Sequence, residues 1–360
     1  MQLCVIAFTG RGEALARRIK NELADVCSCE LYTKCKAFAE KGQLKSAWDG
    51  EMAYVQESLT EWVKNCFLAE NPILFIGACG IAVRAIAPVL RDKLTDVAVL
   101  VAEESGQYVI PVLSGHYGGA NALAKRVAER IGATAVITTA TDVNGLFAVD
   151  VFAADNRLRI VNREGIAKVS SALLAGEQIG MKLDGGYEGD VPQEVHLLAA
   201  DDALKDSSVY VGVDAVQGKA AKLWLLPKAL VLGIGCKQGK TKDEIETFVC
   251  DTLAKLGLPM EAVCAVASID RKSEEPGICE LTEKYGLTFL CYTAEELTSV
   301  PGNFTPSAFV KSQVGVDNVC ERAAMAAAGA GGRLRLGKTA ANGITLAVAE
   351  RQWSVRFDEA

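Results

Sequence analysis

The sequence predicts an α/β protein built on open parallel sheets. Three observations predict it: short β-branched apolar runs recur along the chain, a glycine- or serine-containing loop follows each, and most of those loops open into an amphipathic helix. The first such unit is at the N-terminus. Residues 3–8 are apolar enough for a buried strand, Thr9-Gly10-Arg11-Gly12 is the loop, and 13–23 put Ala16, Ile19 and Leu23 on one helical face. Ser58-Leu59-Thr60-Glu61 has capping-box spacing and starts a helix that turns Trp62, Val63, Cys66 and Phe67 inward. Residues 72–76 form the next strand, Gly77-Ala78-Cys79-Gly80 its loop, and 81–87 a helix that Pro88 disturbs. Strands at 97–102 and 108–113 flank the turn Glu104-Ser105-Gly106-Gln107. A glycine-rich loop at 114–121 then opens a helix over 122–131, closed by Gly132, and 135–139 is a further strand.

From about 146 to 226 the periodicity weakens, with a loop at 185–190 and a strand at 209–213 as its clearest pieces. Beyond Pro227 the pattern returns. Strands at 230–234, 262–269, 288–292 and 344–349 and helices at 243–256, 278–285 and 319–328 form a second, smaller α/β module. The expected organisation is an N-terminal α/β domain over 1–140, a poorly defined middle region over 141–227 and a C-terminal α/β domain over 228–360.

Composition narrows the function classes. With 38 Lys and Arg against 45 Asp and Glu the net charge is −7, so no global positive field exists to hold a nucleic acid or an anionic bilayer. The longest uncharged stretch, 105–124, is interrupted by Pro111, His116, Asn121 and four glycines, which excludes it as a membrane span. Glycine is 33 of 360 residues, about 9% against an average near 7%, and the excess lies in loops that follow apolar runs. The 12 cysteines contain no C-x-x-C pair and the 2 histidines no H-x-x-x-H, so the spacings of a zinc or iron–sulfur site are missing and no protein-held metal is expected. The start of the chain has no basic segment before a long apolar run, which points to a cytoplasmic protein with free thiols. Oligomeric state is left open, a homo-oligomer included.

An open parallel sheet binds ligands where loops leave its carboxyl edge, because the next helix offers unpaired N–H groups there. Four loops qualify. Residues 233–241 end Gly-Lys-Thr after a strand, but the position where a phosphate loop needs its first glycine is Ile234, and the dinucleotide fingerprint is one residue too long. A tight packing turn and a carboxylate site using Gly235 and Lys237 are the other readings. The second loop gathers Ser114, His116, Gly118, Gly119 and Asn121 at a helix start. Its imidazole suits proton transfer near neutrality and its glycine amides suit an oxyanion, whereas a purely structural loop histidine is the alternative. In the third, Thr141 and Asp142, with Asp150 further on, supply hydroxyl and carboxylate groups; Asp142 orients His116 or binds water, or else caps a helix. The fourth, Gly77 to Gly80 with Arg84 one turn into its helix, suits a carboxylate ligand, with Cys79 as a packing residue.

Taken in order, Gly77-Ala78-Cys79-Gly80-Ile81-Ala82-Val83-Arg84, Ser114-Gly115-His116-x-Gly118-Gly119-Ala120-Asn121, Thr141-Asp142, Asp150 and Gly233-Ile234-Gly235-Cys236 resemble the cobalt-precorrin 5A hydrolase family (CbiG) of anaerobic cobalamin biosynthesis. Val314-Gly315-Val316, Lys338 and Thr345-Leu346-Ala347-Val348-Ala349 are similar to its C-terminal module. The resemblance covers nearly the whole chain. It implies opening of a δ-lactone on a cobalt-containing tetrapyrrole followed by loss of acetaldehyde, with the cobalt carried by the anionic substrate and no resident cofactor. On residue chemistry, His116 is then the general base or acid, Asp142 its partner, and Arg84, Lys237 and Lys338 the contacts for substrate carboxylates. A tetrapyrrole carrier that breaks no bond and a nucleotide-binding α/β enzyme are the competing readings.

Overall fold

The computed structural model describes residues 2–35, 50–92, 95–116, 118–204 and 208–357. The chain divides into two compact units that meet in sequence at Val151 and Phe152.

The first unit is a seven-stranded sheet. Its strands are β1 (Gln2–Ala7), β2 (Ser28–Thr33), β3 (Met52–Tyr54), β4 (Ile73–Ile76), β5 (Val99–Ala102), β6 (Tyr108–Leu113) and β7 (Thr134–Ala135), in the order β3-β2-β1-β4-β5-β6-β7. Successive side chains of a strand point to opposite faces, and β1 divides accordingly. Leu3, Val5 and Ala7 pack with Leu15, Ala16 and Ile19 of the helix Gly10–Glu22 and with Leu123, Val127 and Ile131 of the helix Ala120–Ile131. Cys4 and Ile6 pack on the other face with Trp62 and Val63 of Leu59–Leu68 and Ala82 and Ile86 of Cys79–Ile86. Ser58 caps its helix as its spacing predicts, accepting a hydrogen bond from the Glu61 amide at 3.2 Å. Every neighbouring pair in this sheet is parallel except β5 and β6, which form an antiparallel hairpin. The strand predicted over 135–139 is shorter than its apolar pattern suggests: regular pairing ends at Ala135, and Val136 adds one amide bond to Val109.

In the second unit, the region whose sequence pattern is weakest forms a sheet of its own. It contains β8 (Arg159–Ile160), β9 (Ile179–Leu183), β10 (Gly186–Glu188), β11 (Val195–Leu197), β12 (Val209–Val211) and β13 (Leu223–Leu226); all but β10 join in the order β11-β9-β12-β13-β8. The following sheet has β14 (Leu230–Cys236), β15 (Val263–Ile269), β16 (Thr288–Tyr292), β17 (Arg333–Ala341) and β18 (Ile344–Glu350) in the order β16-β15-β14-β18-β17. The last strand, β19 (Ser354–Arg356), pairs with β10, and Phe357 stacks on Phe152 with ring centroids 4.9 Å apart, which ties the chain end to the start of this unit. All 12 cysteines are free thiols.

Gly233 on β14 carries a packing constraint. A Cβ there would lie 1.8 Å from the carbonyl oxygen of Cys320, because the helix Cys320–Ala328 lays Ala323 and Ala324 directly on this strand. Gly233 thus serves helix-on-sheet approach. Gly233→Ala is expected to cost about 3 kcal/mol through overpacking, read by denaturant unfolding, whereas exposed Gly10→Ala, where a Cβ meets nothing within 4 Å, should stay within about 0.5 kcal/mol.

Candidate active site

The antiparallel pairing of β5 and β6 matches Val99 to Leu113 and Ala102 to Val109. The end of β6 therefore reaches the start of β5, where the Ser114 hydroxyl donates to the Asp96 carbonyl at 2.8 Å. Gly77 lies at the other end of β5, donating its amide to the Ala102 carbonyl at 2.8 Å. The Gly77–Gly80 loop and the His116 loop thus leave opposite edges of the sheet, and the expectation of a common carboxyl edge is corrected by the reversal of one strand. Arg84 and Cys79 are exposed at the first edge, apart from His116.

Residues 114–121 double back tightly, and Tyr117 among them lies outside the described residues. Ser114 adopts a left-handed backbone (φ 57°) and Gly119 another (φ 77°), while a Cβ on Gly118 would sit 2.4 Å from that of Ser114. The Gly119 amide donates to the His116 carbonyl at 2.7 Å, Ala120 to Ser114 at 3.0 Å and Asn121 to Gly115 at 2.9 Å. These bonds start the helix Ala120–Ile131 without a side-chain cap. They also engage the Gly119 amide, so the expectation that it serves an oxyanion is corrected: the loop uses that donor to close on itself.

His116 lies between two carboxylates. Its Nε2 is 2.5 Å from Oδ2 of Asp142 and 3.0 Å from the Thr141 hydroxyl, both on the short helix Ala140–Val143. Its Nδ1 is 3.4 Å from Oδ1 of Asp150, on the helix Val149–Asp155. Asn121 donates from Nδ2 to Asp142 Oδ2 and to the Thr139 hydroxyl, each at 2.9 Å, and the Lys125 ammonium lies 3.9 Å from Asp142 Oδ1. Asn121 and Thr141, read from sequence as substrate contacts, are 4% and 5% exposed and direct their polar groups at Asp142 and His116. The Asn121 Oδ1 is buried and has no hydrogen-bond partner among the described residues; it lies 2.8 Å from where a Gly115 side chain would begin.

The Asp150 carboxylate beside the ring raises the pKa of His116 above 6.5; burial opposes this, and Asp142 adds to it. Asp150 has no assigned role in the sequence reading, and Lys125 escaped it altogether. The signal for Lys125 was its spacing, one turn after Asn121 on the same helical face.

Gly235, Lys237 and Lys338 belong to the second unit. Gly235 pairs with Thr345, whose hydroxyl donates to the Gly235 carbonyl at 3.1 Å. The Lys237 amide donates to the Gly343 carbonyl at 2.9 Å, and that of Lys338, on β17, to Glu321 Oε1 at 2.5 Å. The phosphate-loop candidate is filled by the chain's own carboxylates. Gly239 donates its amide to Glu275 at 2.7 Å, Lys240 pairs with Glu244 at 2.6 Å, and Thr241 forms a capping box with the same Glu244. Among the described residues no group of three or more His, Cys, Asp and Glu side chains is gathered to hold a metal ion, and no helix is long and apolar enough to cross a membrane.

Fold and site together define a multi-module α/β protein in which a histidine lies between two carboxylates. Family models described as cobalamin synthesis G N-terminal, cobalamin biosynthesis central region and cobalamin synthesis G C-terminus match residues 61–142, 147–227 and 230–349. A cobalt-precorrin-5A hydrolase of Priestia megaterium is 32% identical over 96% of this chain and 94% of its own, and one of Salmonella typhimurium 33% identical over 89% and 90%. A solved structure of a cobalamin biosynthesis protein G homologue from Sulfolobus solfataricus aligns over 98% of this chain and 97% of its own, at 23% identity and a TM-score of 0.38. The chain belongs to the cobalt-precorrin-5A hydrolase (CbiG) family.

A histidine whose pKa is higher in the folded than in the unfolded chain stabilises the fold below the unfolded value and loses that contribution as pH rises through the folded one. Unfolding of the protein from about pH 6 to about pH 9 should therefore reveal stability that is complete below 6.5 and decays above it. His116→Gln should remove that decay.

Proposed function

We propose that this chain hydrolyses the δ-lactone of cobalt-precorrin-5A and releases acetaldehyde to give cobalt-precorrin-5B. The observation that carries the reading is His116 held between Asp142 and Asp150 at a glycine-rich helix start, in a chain matched nearly end to end by relatives named for this substrate. Ester opening needs water deprotonated as it attacks the carbonyl, an oxyanion stabilised, and a proton delivered to the leaving oxygen. An imidazole in contact with carboxylates supports the proton transfers, and we assign the Gly118 amide to the oxyanion. The released alcohol at C20 then collapses to acetaldehyde as its bond to the macrocycle breaks.

Cobalt enters as part of the substrate, and no resident cofactor is assigned. The substrate is an anionic tetrapyrrole. Nucleic acid is no partner in this reading. The carrier alternative predicts binding without acetaldehyde. With purified cobalt-precorrin-5A, wild-type protein should release acetaldehyde and a boiled control should not. His116→Ala should lower the rate by about a hundredfold or more, and retention of near-full lactone opening would remove His116 from the mechanism.

A further inference from the structure

We propose that Lys125 is a catalytic residue of this site: its ammonium, together with the Gly118 amide, receives the negative charge that develops on the carbonyl oxygen as the lactone opens. The proposal rests on the lactone-opening reading and supplies the cation which that reading lacks.

Charge counting shows the need. His116 has Asp142 against one ring nitrogen and Asp150 near the other, so even a protonated ring leaves the three groups with a net negative charge. Ester opening turns a neutral carbonyl into an oxyanion and then into a carboxylate. New negative charge beside a negative centre is repelled unless a cation stands close by. Lys125 neutralises the count. Its Nζ lies 3.9 Å from Oδ1 of Asp142, the oxygen that neither His116 nor Asn121 contacts.

The ammonium is also free to donate. A charge-assisted hydrogen bond spans about 2.7–2.9 Å, so Lys125 is paired with Asp142 by charge alone, and among the described residues it makes no hydrogen bond. Neighbouring donors are committed. The Gly119, Ala120 and Asn121 amides serve loop carbonyls, the Ser114 hydroxyl serves Asp96, and Asn121 Nδ2 serves Thr139 and Asp142. Exposure gives the direction of approach: it rises from 6% at the Asp150 side chain through 15% at His116 and 19% at Asp142 to 57% at Lys125. A macrocycle too large to enter the loop therefore meets the centre from the Lys125 side. The flexible stem of lysine can carry its charge from Asp142 to the ester while Leu123, Ala124 and Val127 hold the helix on the core.

The step balances. Water oxygen bonds to the ester carbonyl carbon, and the carbonyl π pair moves to its oxygen, where the ammonium and the Gly118 amide meet it. That pair returns as the bond between the acyl carbon and the ring oxygen breaks. Of the two water protons, one ends on the leaving oxygen and the other passes through the imidazole–carboxylate centre to solvent. The substrate thereby gains one negative charge, and water is the one reactant consumed.

Steady-state kinetics on purified cobalt-precorrin-5A, read by acetaldehyde release, test the assignment. Lys125→Met should lower kcat by about a hundredfold with KM little changed, because the lost interaction forms in the transition state. Lys125→Arg, which keeps the charge, should retain about a tenth or more of the wild-type kcat. Arg126→Met is the charge control: it is exposed at the next position, has no ion pair among the described residues, and should keep wild-type kcat. Both Met variants should unfold at the wild-type temperature, since neither side chain belongs to the core. Unchanged kcat in Lys125→Met overturns the assignment. So does a raised KM at unchanged kcat, which would make Lys125 a ground-state contact for a substrate carboxylate, and so does an equal loss in Arg126→Met, which would make the effect one of overall charge. Wild-type protein that releases no acetaldehyde refutes the lactone-opening reading and the inference with it; an active wild type beside an undiminished Lys125→Met refutes the inference alone.

Discussion

The reversal of β6 against β5 is the constraint on which the arrangement of the first unit depends. A parallel β6 would deliver its loop beside Gly77 and Arg84; the antiparallel one delivers it beside Asp96, at the edge toward which the chain after β7 also runs. Segments 114–121 and 139–142 converge there because two parallel neighbours, β6 and β7, end at the same edge. The helix following the loop must still cover the sheet with Leu123, Val127 and Ile131, so the chain has only a few residues in which to turn. That requirement explains the glycines at 118 and 119. It also accounts for Ser114 in a backbone conformation that costs a non-glycine residue about 1–3 kcal/mol, which its hydroxyl bond to Asp96 helps offset.

Much of the fold was legible because its signals are local. Buried parallel strands read as continuous apolar runs, Ser58 and Gly132 mark helix ends, and Pro88 stops its helix where a 3₁₀ turn, Ala87–Val89, replaces it. β17 was not legible. It carries Arg333, Arg335 and Lys338, the charges that protect an edge strand, and these mask its pairing with β18. The Asn342-Gly343 dipeptide between them, with φ of 52° and 78°, was the available hairpin signal. In the candidate site, His116 and Asp142 could be chosen by residue type, but strand direction could not. The separation of Arg84 from His116 and the approach of Asp150 to Nδ1 are long-range facts that no spacing encodes.

A chain with a net charge of −7 must accommodate its carboxylates, and several are buried. Glu321, 2% exposed, accepts from the amides of Thr305 and Lys338, the Thr305 hydroxyl and Asn318 Nδ2. Glu350, 3% exposed, accepts from Arg333, Arg335 and the Trp353 indole. Glu275 takes the Gly239 amide and Lys272, in the loop whose sequence suggested an external anion. Each carboxylate replaces a ligand or solvent with fixed donors, and each joins segments distant in the chain.

Amides, indoles, guanidiniums and lysine ammoniums keep their protons across the neutral range, so those carboxylates build structure without moving charge. Asp142 and Asp150 differ in sharing an imidazole, the side chain that can change protonation there. The other histidine, His196, is exposed on β11. Burial alone would drive His116 toward neutrality; the neighbouring carboxylates reverse that tendency and favour the protonated ring. The physics that makes a buried glutamate an anchor elsewhere meets, at His116, a partner that can let go of a proton, which is what the proposed acid–base role requires.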